Sequence, residues 1–551
     1  MRWNLAVLGG MLAVCSGAGC QLVIGIGDWV EASGGTGGGT AGGGAGGTGG
    51  VTTGGTGGTG GASCTPGEKV ACYTGPAGTE GVGTCKGGMA TCNDQGTGYG
   101  GCEGQVVPGP EVPDAIGDEA CDGYAPGEPV WWRTFGDDKD QWPDAIASDG
   151  LGNTYVCGTF LGKLTLDAAA PLDSAGLGDV FLFKLDANGK AVWAKRFGDA
   201  ADQQGCLLAA DGQGVVIAGN WKGTMYFGGT VFDDTATRNY VARFDPAGAH
   251  IWSTSVAYSP DDRLKDIGLL AGSHVLLVGW RPNSNQDGGS DAYAAKLFAD
   301  SGLTDWIKLI SDDVYTDQTG FQTALSVSTS PTGFAVGGQF TVPQGAGQGM
   351  TVYRYGNDGV LASSKEYPIT GAQGDDCGLS EPLRVAIGPT GEDLLSGLFY
   401  CTLHMDAFSY DGPTDQLAIG DGFLAKVEGN WSVPWARHYV DPAIAATIDI
   451  DFDANGNVFL GAWTFSSVDL GGGESGPNAA GGNAVLGKLT GSGDHVWTRT
   501  FRGGLQGQPR IATAPDGGLV FTASYKTNIE IPTQSIPSAG ARDLVVAKIA
   551  P

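Results

Sequence analysis

Histidine is scarce in this chain, five residues in 551, and no His-Glu-x-x-His, Gly-x-Ser-x-Gly or Walker loop occurs. The common zinc-protease, α/β-hydrolase and nucleotide-phosphate signatures are therefore missing. His250 and His495 fall at one repeat position just before an aromatic and read as turn residues rather than as a general base. Positive charge is also short: 30 Lys and Arg stand against 59 Asp and Glu, a formal net charge of −29. With no basic stripe to collect phosphates, nucleic acid is excluded as a partner, while cationic surfaces, metal ions and glycans are not. No apolar run after the first 20 residues is long enough to span a bilayer, and helical periodicity is absent throughout.

What is present begins with an export signal. Arg2 gives a positive start, Leu5 to Val14 is a short apolar run, and Ser16, Gly17, Ala18 and Gly19 lead to Cys20. A small residue directly before a cysteine resembles the bacterial lipoprotein cleavage box. The resemblance implies cleavage after residue 19, lipidation at Cys20 and a lipidated segment 20–33, with a membrane partner at the outer membrane, cell surface or periplasm. Residues 34–63 are mostly Gly, Thr and Ala, too poor in apolar surface to order, and read as a flexible linker.

Residues 64–124 hold Cys64, Cys72, Cys85, Cys92, Cys102 and Cys121. Six cysteines among many glycines in an exported chain predict a small module stapled by disulfides, whose connectivity the sequence leaves open. The run from Cys72 through Gly75-Pro76 and Gly83 to Cys85 and Cys92 resembles a cysteine module of bacterial surface lipoproteins. That family carries an Asp-rich loop; here only the scattered Asp114, Asp118, Glu119 and Asp122 stand in its place.

From residue 125 the chain repeats with a period of about 60 residues, the sign of a repeat architecture. An aromatic-led strand recurs at Trp132, Trp193, Trp252, Trp306, Trp435 and Trp497. A Gly followed by an aromatic recurs at Gly158, Gly219, Gly279, Gly338, Gly397 and Gly461, with Ala523 as a degenerate copy. An apolar strand ending in one basic residue gives seven copies: Lys184, Arg243, Lys296, Arg354, Lys426, Lys488 and Lys548. Short alternating strands separated by Gly/Asp/Asn turns predict an all-β fold, a seven-bladed β-propeller of four-stranded antiparallel blades over 125–551. The strand at Val130 to Phe135 is expected to pair with the last repeat and close the ring. Residues 131–551 resemble the bacterial β-propeller-repeat proteins of SBBP type, which implies a surface or secreted protein without specifying a ligand.

Candidate sites follow from the loops. The connections 161–178, 222–239, 281–290, 341–349, 400–420, 464–482 and 526–541 are long and share a face with the loops entering each blade. Asp138, Asp202, Asp262, Asp313 and Asp376 recur in those entry loops and form an expected acidic ring at the channel mouth, suited to Ca²⁺ or to a cationic ligand. Asp451 to Asn457 starts like a calcium loop but lacks the downstream Glu, and reads as a hairpin turn. Cys377 with Cys401, and Cys157 with Cys206, are the expected bridges of the repeat region. Together these features favour a binding or interaction module for a protein, glycan or cationic ligand. A lyase- or dehydrogenase-like enzyme using carboxylates at the channel mouth is the alternative, and a structural surface protein without a specific ligand the third.

Overall fold

In the computed structural model the described residues are most of 63–551. Outside them lie 110–116, 167–169, 204, 257–261, 271–272, 283–289, 311–321, 343–346, 373–376, 415–419, 441–447, 474–481 and 532–533, together with 1–62 apart from short backbone pieces. Thus the side chain of Cys20, the linker 34–61, Asp313 and Asp376 fall outside the described residues. The chain divides into two compact units, Met1–Thr59 and Gly60–Pro551. The cysteine module and all the repeat strands belong to the second.

Every regular element described is a β-strand. In the cysteine module Lys69–Cys72 pairs antiparallel with Gly88–Thr91. Three disulfides, Cys64–Cys92, Cys72–Cys102 and Cys85–Cys121, tie the module together. A segment this short has little core of its own, so cross-links that restrict the unfolded chain replace burial.

Beyond it, strands assemble into four-stranded antiparallel units in chain order, here lettered A to G. Unit A is Gln141–Ser148, Thr154–Phe160, Asp179–Leu185 and Ala191–Phe197. Unit B is Leu207–Asp211, Gly214–Tyr226, Val231–Phe244 and His250–Thr254. Unit C is Arg263–Leu270, His274–Pro282, Ser290–Phe298 and Thr304–Leu309. Unit D is Gln322–Ser330, Gly333–Val342, Gly347–Gly356 and Leu361–Thr370. Unit E is Gly378–Ile387, Asp393–Tyr400, Asp421–Val427 and Trp435–Tyr439. Unit F is Asp449–Phe452, Val458–Thr464, Gly482–Leu489 and His495–Leu505. Unit G takes three strands from the C-terminus, Arg510–Thr513, Leu519–Ile531 and Asp543–Ile549, and its outer strand, Pro129–Phe135, from the far end of the repeat region. The first strand of each unit packs beside that of the next, and the first strand of G returns to that of A. The central strands, such as Asp179–Leu185 and Asp543–Ile549, are buried along their whole length. Each is covered on both faces by neighbouring units, which is why these runs are continuously apolar.

The recurrent basic residue acts between units. Lys184 Nζ donates to Pro246 O at 3.1 Å, Arg243 to Ala299 O at 3.1 Å, Lys296 to Asn357 O at 2.8 Å and Lys426 to Gly491 O at 3.1 Å. Each acceptor is a carbonyl in the tight turn of the following unit. The tryptophan opposite it on the outer strand often points to the same turn: Trp131 donates to Ala187 O, Trp193 to Pro246 O, Trp252 to Ala299 O and Trp435 to Gly491 O. In unit G the position belongs to Trp131, which pairs with Lys548, rather than to its neighbour Trp132. Gly189, at φ +72°, lies against the Trp131 ring, where a Cβ would approach to 2.5 Å. In unit G the corresponding turn is split between the chain end and the segment entering Pro129. Gly127 there covers Trp497, Arg499 donates to Pro126 O, and Ala550 N donates to Glu128 O at 2.8 Å.

The connections expected to be open binding loops do part of this sealing. Each of five carries two apolar residues two positions apart: Leu164 and Leu166, Met225 and Phe227, Leu403 and Met405, Val468 and Leu470, Ile529 and Ile531. All ten are buried. Phe227 packs against Phe197 of the preceding unit with ring centroids 4.9 Å apart. Thr402–Met405 pairs with the outer strand of unit D, and residues at the end of Leu519–Ile531 pair with that of unit F. The length of these loops therefore reflects packing between units as well as any surface role.

Candidate functional site

Two adjoining cavities stand out, and one carboxylate borders both. The first, about 660 Å³, opens on the loop side of units A and B and is lined by Trp142, Asp144, Thr159, Leu161, Leu177, Gly178, Asp202, Gly205 and Asn220. The second, about 220 Å³, lies along the first strands of all the units. Its charged lining is Asp144, Lys265, Asp266, Arg384, Asp449 and Arg510.

The bottom of the first cavity is built by the strand Gln141–Ser148. Its register against Thr154–Phe160 shifts between Pro143 and Ala145, so Asp144 sits at a bulge. A bulge re-aims a side chain that regular alternation would place elsewhere. Thr159 Oγ1 donates to Asp144 Oδ2 at 3.5 Å and receives the Gly205 N–H at 3.3 Å. Burial pushes the Asp144 carboxyl up to about 6, against the opposing pull of Arg510, the Cys206 N–H and Thr159. The Cys157–Cys206 disulfide joins the second strand of A to the entry of B beside this cavity, and Cys377–Cys401 closes the loop end of unit E. At the cavity mouth Asp202 Oδ1 accepts the Gly178 N–H at 3.2 Å. Asn220 Oδ1 is buried, with no hydrogen-bond partner among the described residues. The Arg542 guanidinium lies 5.6 Å from the centre of the Trp142 ring.

The recurrent loop acids fall into different environments. Asp202 joins Asp144 in the first cavity. Asp138 is exposed and pairs with Lys139 at 3.1 Å. Asp262 is buried at 1% exposure, and neither it nor Asp138 lines the two cavities. The acids that begin these loops have a structural task. Asp137 accepts the N–H groups of Lys139 and Lys163 and the Gln141 amide; Asp199 accepts those of Ala201 and Thr224 and the Gln203 amide. Each clamps an entry loop to the neighbouring long connection. Among the described residues no group of three or more His, Cys, Asp or Glu side chains is placed to hold a metal ion. Asp453 accepts the Asn455 and Asn457 N–H groups and the Asn457 amide, the bonding of a hairpin turn.

Sequence reasoning missed the charges of the inner strands. Asp266 Oδ2 accepts the Ser326 hydroxyl and the Val327 N–H, both at 2.9 Å, and Ser326 Oγ in turn accepts the Val385 N–H at 3.2 Å. Asp449 accepts the Ile511 N–H at 2.9 Å and Asp451 the Thr513 N–H at 2.8 Å. Side chains of one unit thus satisfy the open backbone edge of the next, a need every inner strand has. Burial holds the Asp266 and Asp451 carboxyls above their usual range. The signal was available: Asp144, Cys206, Asp266, Ser326, Arg384, Asp449 and Arg510 recur roughly every 60 residues, polar or small among apolar neighbours.

No family model matches the sequence, and no curated protein is similar to it. Solved structures are similar at low identity. The polysaccharide lyase Uly1 superposes with a TM-score of 0.42 at 11% identity, over 74% of this chain and 89% of that one. The β-propeller domain of the trilobed protease from Pyrococcus furiosus gives 0.38 at 9%, over 74% and 93%. The quinohemoprotein alcohol dehydrogenase from Comamonas testosteroni gives 0.37 at 13%, over 75% and 76%.

Proposed function

We propose that this chain is an exported protein anchored through a lipid on Cys20, and that residues 125–551 are a seven-bladed β-propeller serving as a binding module. Its ligand is a small molecule bearing an ammonium group on a hydroxylated or apolar body, held in the loop-side cavity of units A and B. The observation that carries this reading is the cavity's lining. Asp144, Asp202 and Asn220 Oδ1 offer acceptors and Trp142, whose ring the Arg542 guanidinium approaches, offers an aromatic wall; among the described residues lining the cavity none is cationic. An acceptor-rich pocket beside an indole suits a hydrogen-bond donor with positive charge and opposes an anion. Its volume lies within the usual range for organic ligands.

The test is calorimetric titration of the whole chain with a glucosamine disaccharide and with spermidine, against the N-acetylated disaccharide and glucuronate. Binding of an ammonium-bearing probe, weakened at least tenfold by Trp142→Ala or Asp202→Asn, is expected. No heat from either amine, or equal binding of glucuronate, would exclude this ligand class.

A second reading, an enzyme, draws on one observation: Asp144 titrates near 6, where a carboxyl can both give and take a proton. Under that reading Asp144→Asn would abolish turnover of a bound probe while leaving its affinity within a few-fold.

A further inference from the structure

We propose that the central cavity is a second binding site, for a small oxyanion held between the guanidinium groups of Arg384 and Arg510. The two arginines stand on the first strands of units E and G and line the same cavity. Among the described residues Arg384 meets one ion partner, Asp449, with Nε 3.3 Å from Oδ1. Arg510 Nη1 donates to Gln508 Oε1 at 3.3 Å. Both arginines are half-buried and face the cavity, so N–H groups beyond these contacts are open to it, and Arg510 feels the charge of Arg384.

A guanidinium carries five N–H donors, and those that face a half-buried cavity favour an acceptor there. The neighbouring carboxylates fill that role only in part, because their oxygens are turned to the strand edges. Asp266 accepts from Ile267, Ser326 and Val327, and Asp449 Oδ2 from Ile511. Asp144, on the strand beside that of Arg510, feels the Arg510 charge and has the Thr159 hydroxyl donating to it. Lys265 adds a third positive group to the lining. A carboxylate or phosphate matches this arrangement, since a planar guanidinium fork binds such oxygens two at a time. The cavity of about 220 Å³ has room for a small oxyanion.

The whole chain is titrated with inorganic phosphate and with acetate at constant ionic strength, chloride making up the balance. Melting temperature and calorimetric heat are both recorded. A rise in melting temperature that saturates in the millimolar range, with one-to-one stoichiometry, is expected for at least one of the two. Arg384→Lys and Arg510→Lys keep the charge but lose the fork, and each should weaken binding at least tenfold. A rise linear in phosphate without heat is a general salt effect and overturns the site, as does wild-type binding in both lysine variants. If neither variant folds, crystals of the parent soaked in selenate decide the matter. Anomalous density between the two guanidiniums supports the proposal, and its absence at saturating selenate ends it. Binding of glucosamine in the loop-side cavity is read separately, so either site can fail alone.

Discussion

Ser363→Trp alone is expected to destabilise the chain by about 3 kcal/mol, and Trp431→Gly in the same molecule to recover most of that loss. The reason lies in a position where the repeat exchanges its parts. Elsewhere an outer-strand tryptophan sits opposite the recurrent basic residue, as Trp252 opposite Arg243. In unit D the residue opposite Arg354 is Ser363. The missing ring comes from the other side: Trp431 stands in the tight turn of unit E, where Trp431 N donates to Glu428 O just as Gly189 N donates to Asp186 O in unit A. Trp431 is at φ +69°, a conformation that glycine takes in the other turns, and the Arg354 guanidinium lies 3.9 Å from the centre of its ring.

One space between units thus holds one indole, delivered by the strand in most cases and by the turn in this one. A second indole from position 363 would meet an occupied site, and overpacking costs about 1–3 kcal/mol. Trp431→Gly alone should fall within about 1 kcal/mol of the parent, because release of left-handed strain offsets the lost cation–π contact. The double variant should therefore show a coupling energy of about 2–3 kcal/mol by urea denaturation, far above the additivity expected of independent sites. Additive losses would mean that the two rings do not share a space.

The repeat markers legible in the sequence were those that a repeated contact enforces. The basic residue recurs because each turn carbonyl needs a donor, and the aromatic strand recurs because its indole covers the next turn. Trp131 and Trp132 could not be told apart from sequence, since adjacent tryptophans differ only in which face of the strand they occupy; pairing with Lys548 decides for Trp131. The entry-loop acids were visible as a pattern, but a pattern of carboxylates does not reveal its donors. Asp137 and Asp199 accept from backbone N–H groups some 25 residues further along, such as Lys163 and Thr224. The inner-strand charges were hidden for a different reason. One Asp or Arg in an apolar strand looks like an exposed residue on an alternating pattern. Only closure of the inner strands on one another makes that face an interior. In the cysteine module any of the pairings satisfied the sequence, and geometry alone selects Cys64–Cys92, Cys72–Cys102 and Cys85–Cys121.

Asp144→Asn is expected to stabilise the chain at pH 7.5 by up to about 3 kcal/mol and to leave it near the parent at pH 4. The folded-state carboxyl titrates at about 6 against 3.8 for an ordinary aspartate, so the folded state binds the proton more tightly than the unfolded chain does. A group raised in this way gives its full contribution below the unfolded value and loses it as pH rises through about 6. Roughly two pH units between the two states correspond to about 3 kcal/mol. Asparagine is neutral throughout and keeps an oxygen to accept the Thr159 hydroxyl, so it escapes the loss that ionisation imposes on aspartate. Asp266, Asp451 and Asp393 are also raised by burial and remain in both proteins. The informative quantity is therefore the stability difference between variant and parent, measured by urea denaturation at pH 4.5, 6.0 and 7.5. It should grow through this window; a difference independent of pH would mean that Asp144 is solvated and titrates normally. The same titration bears on ligand capture, because an ammonium group in the loop-side cavity favours ionised Asp144. Binding of a glucosamine probe should weaken as pH falls from 7.5 to 5. In the asparagine variant that dependence should flatten even though stability rises, which separates a carboxylate strained by burial and poised for a cation from one that merely packs.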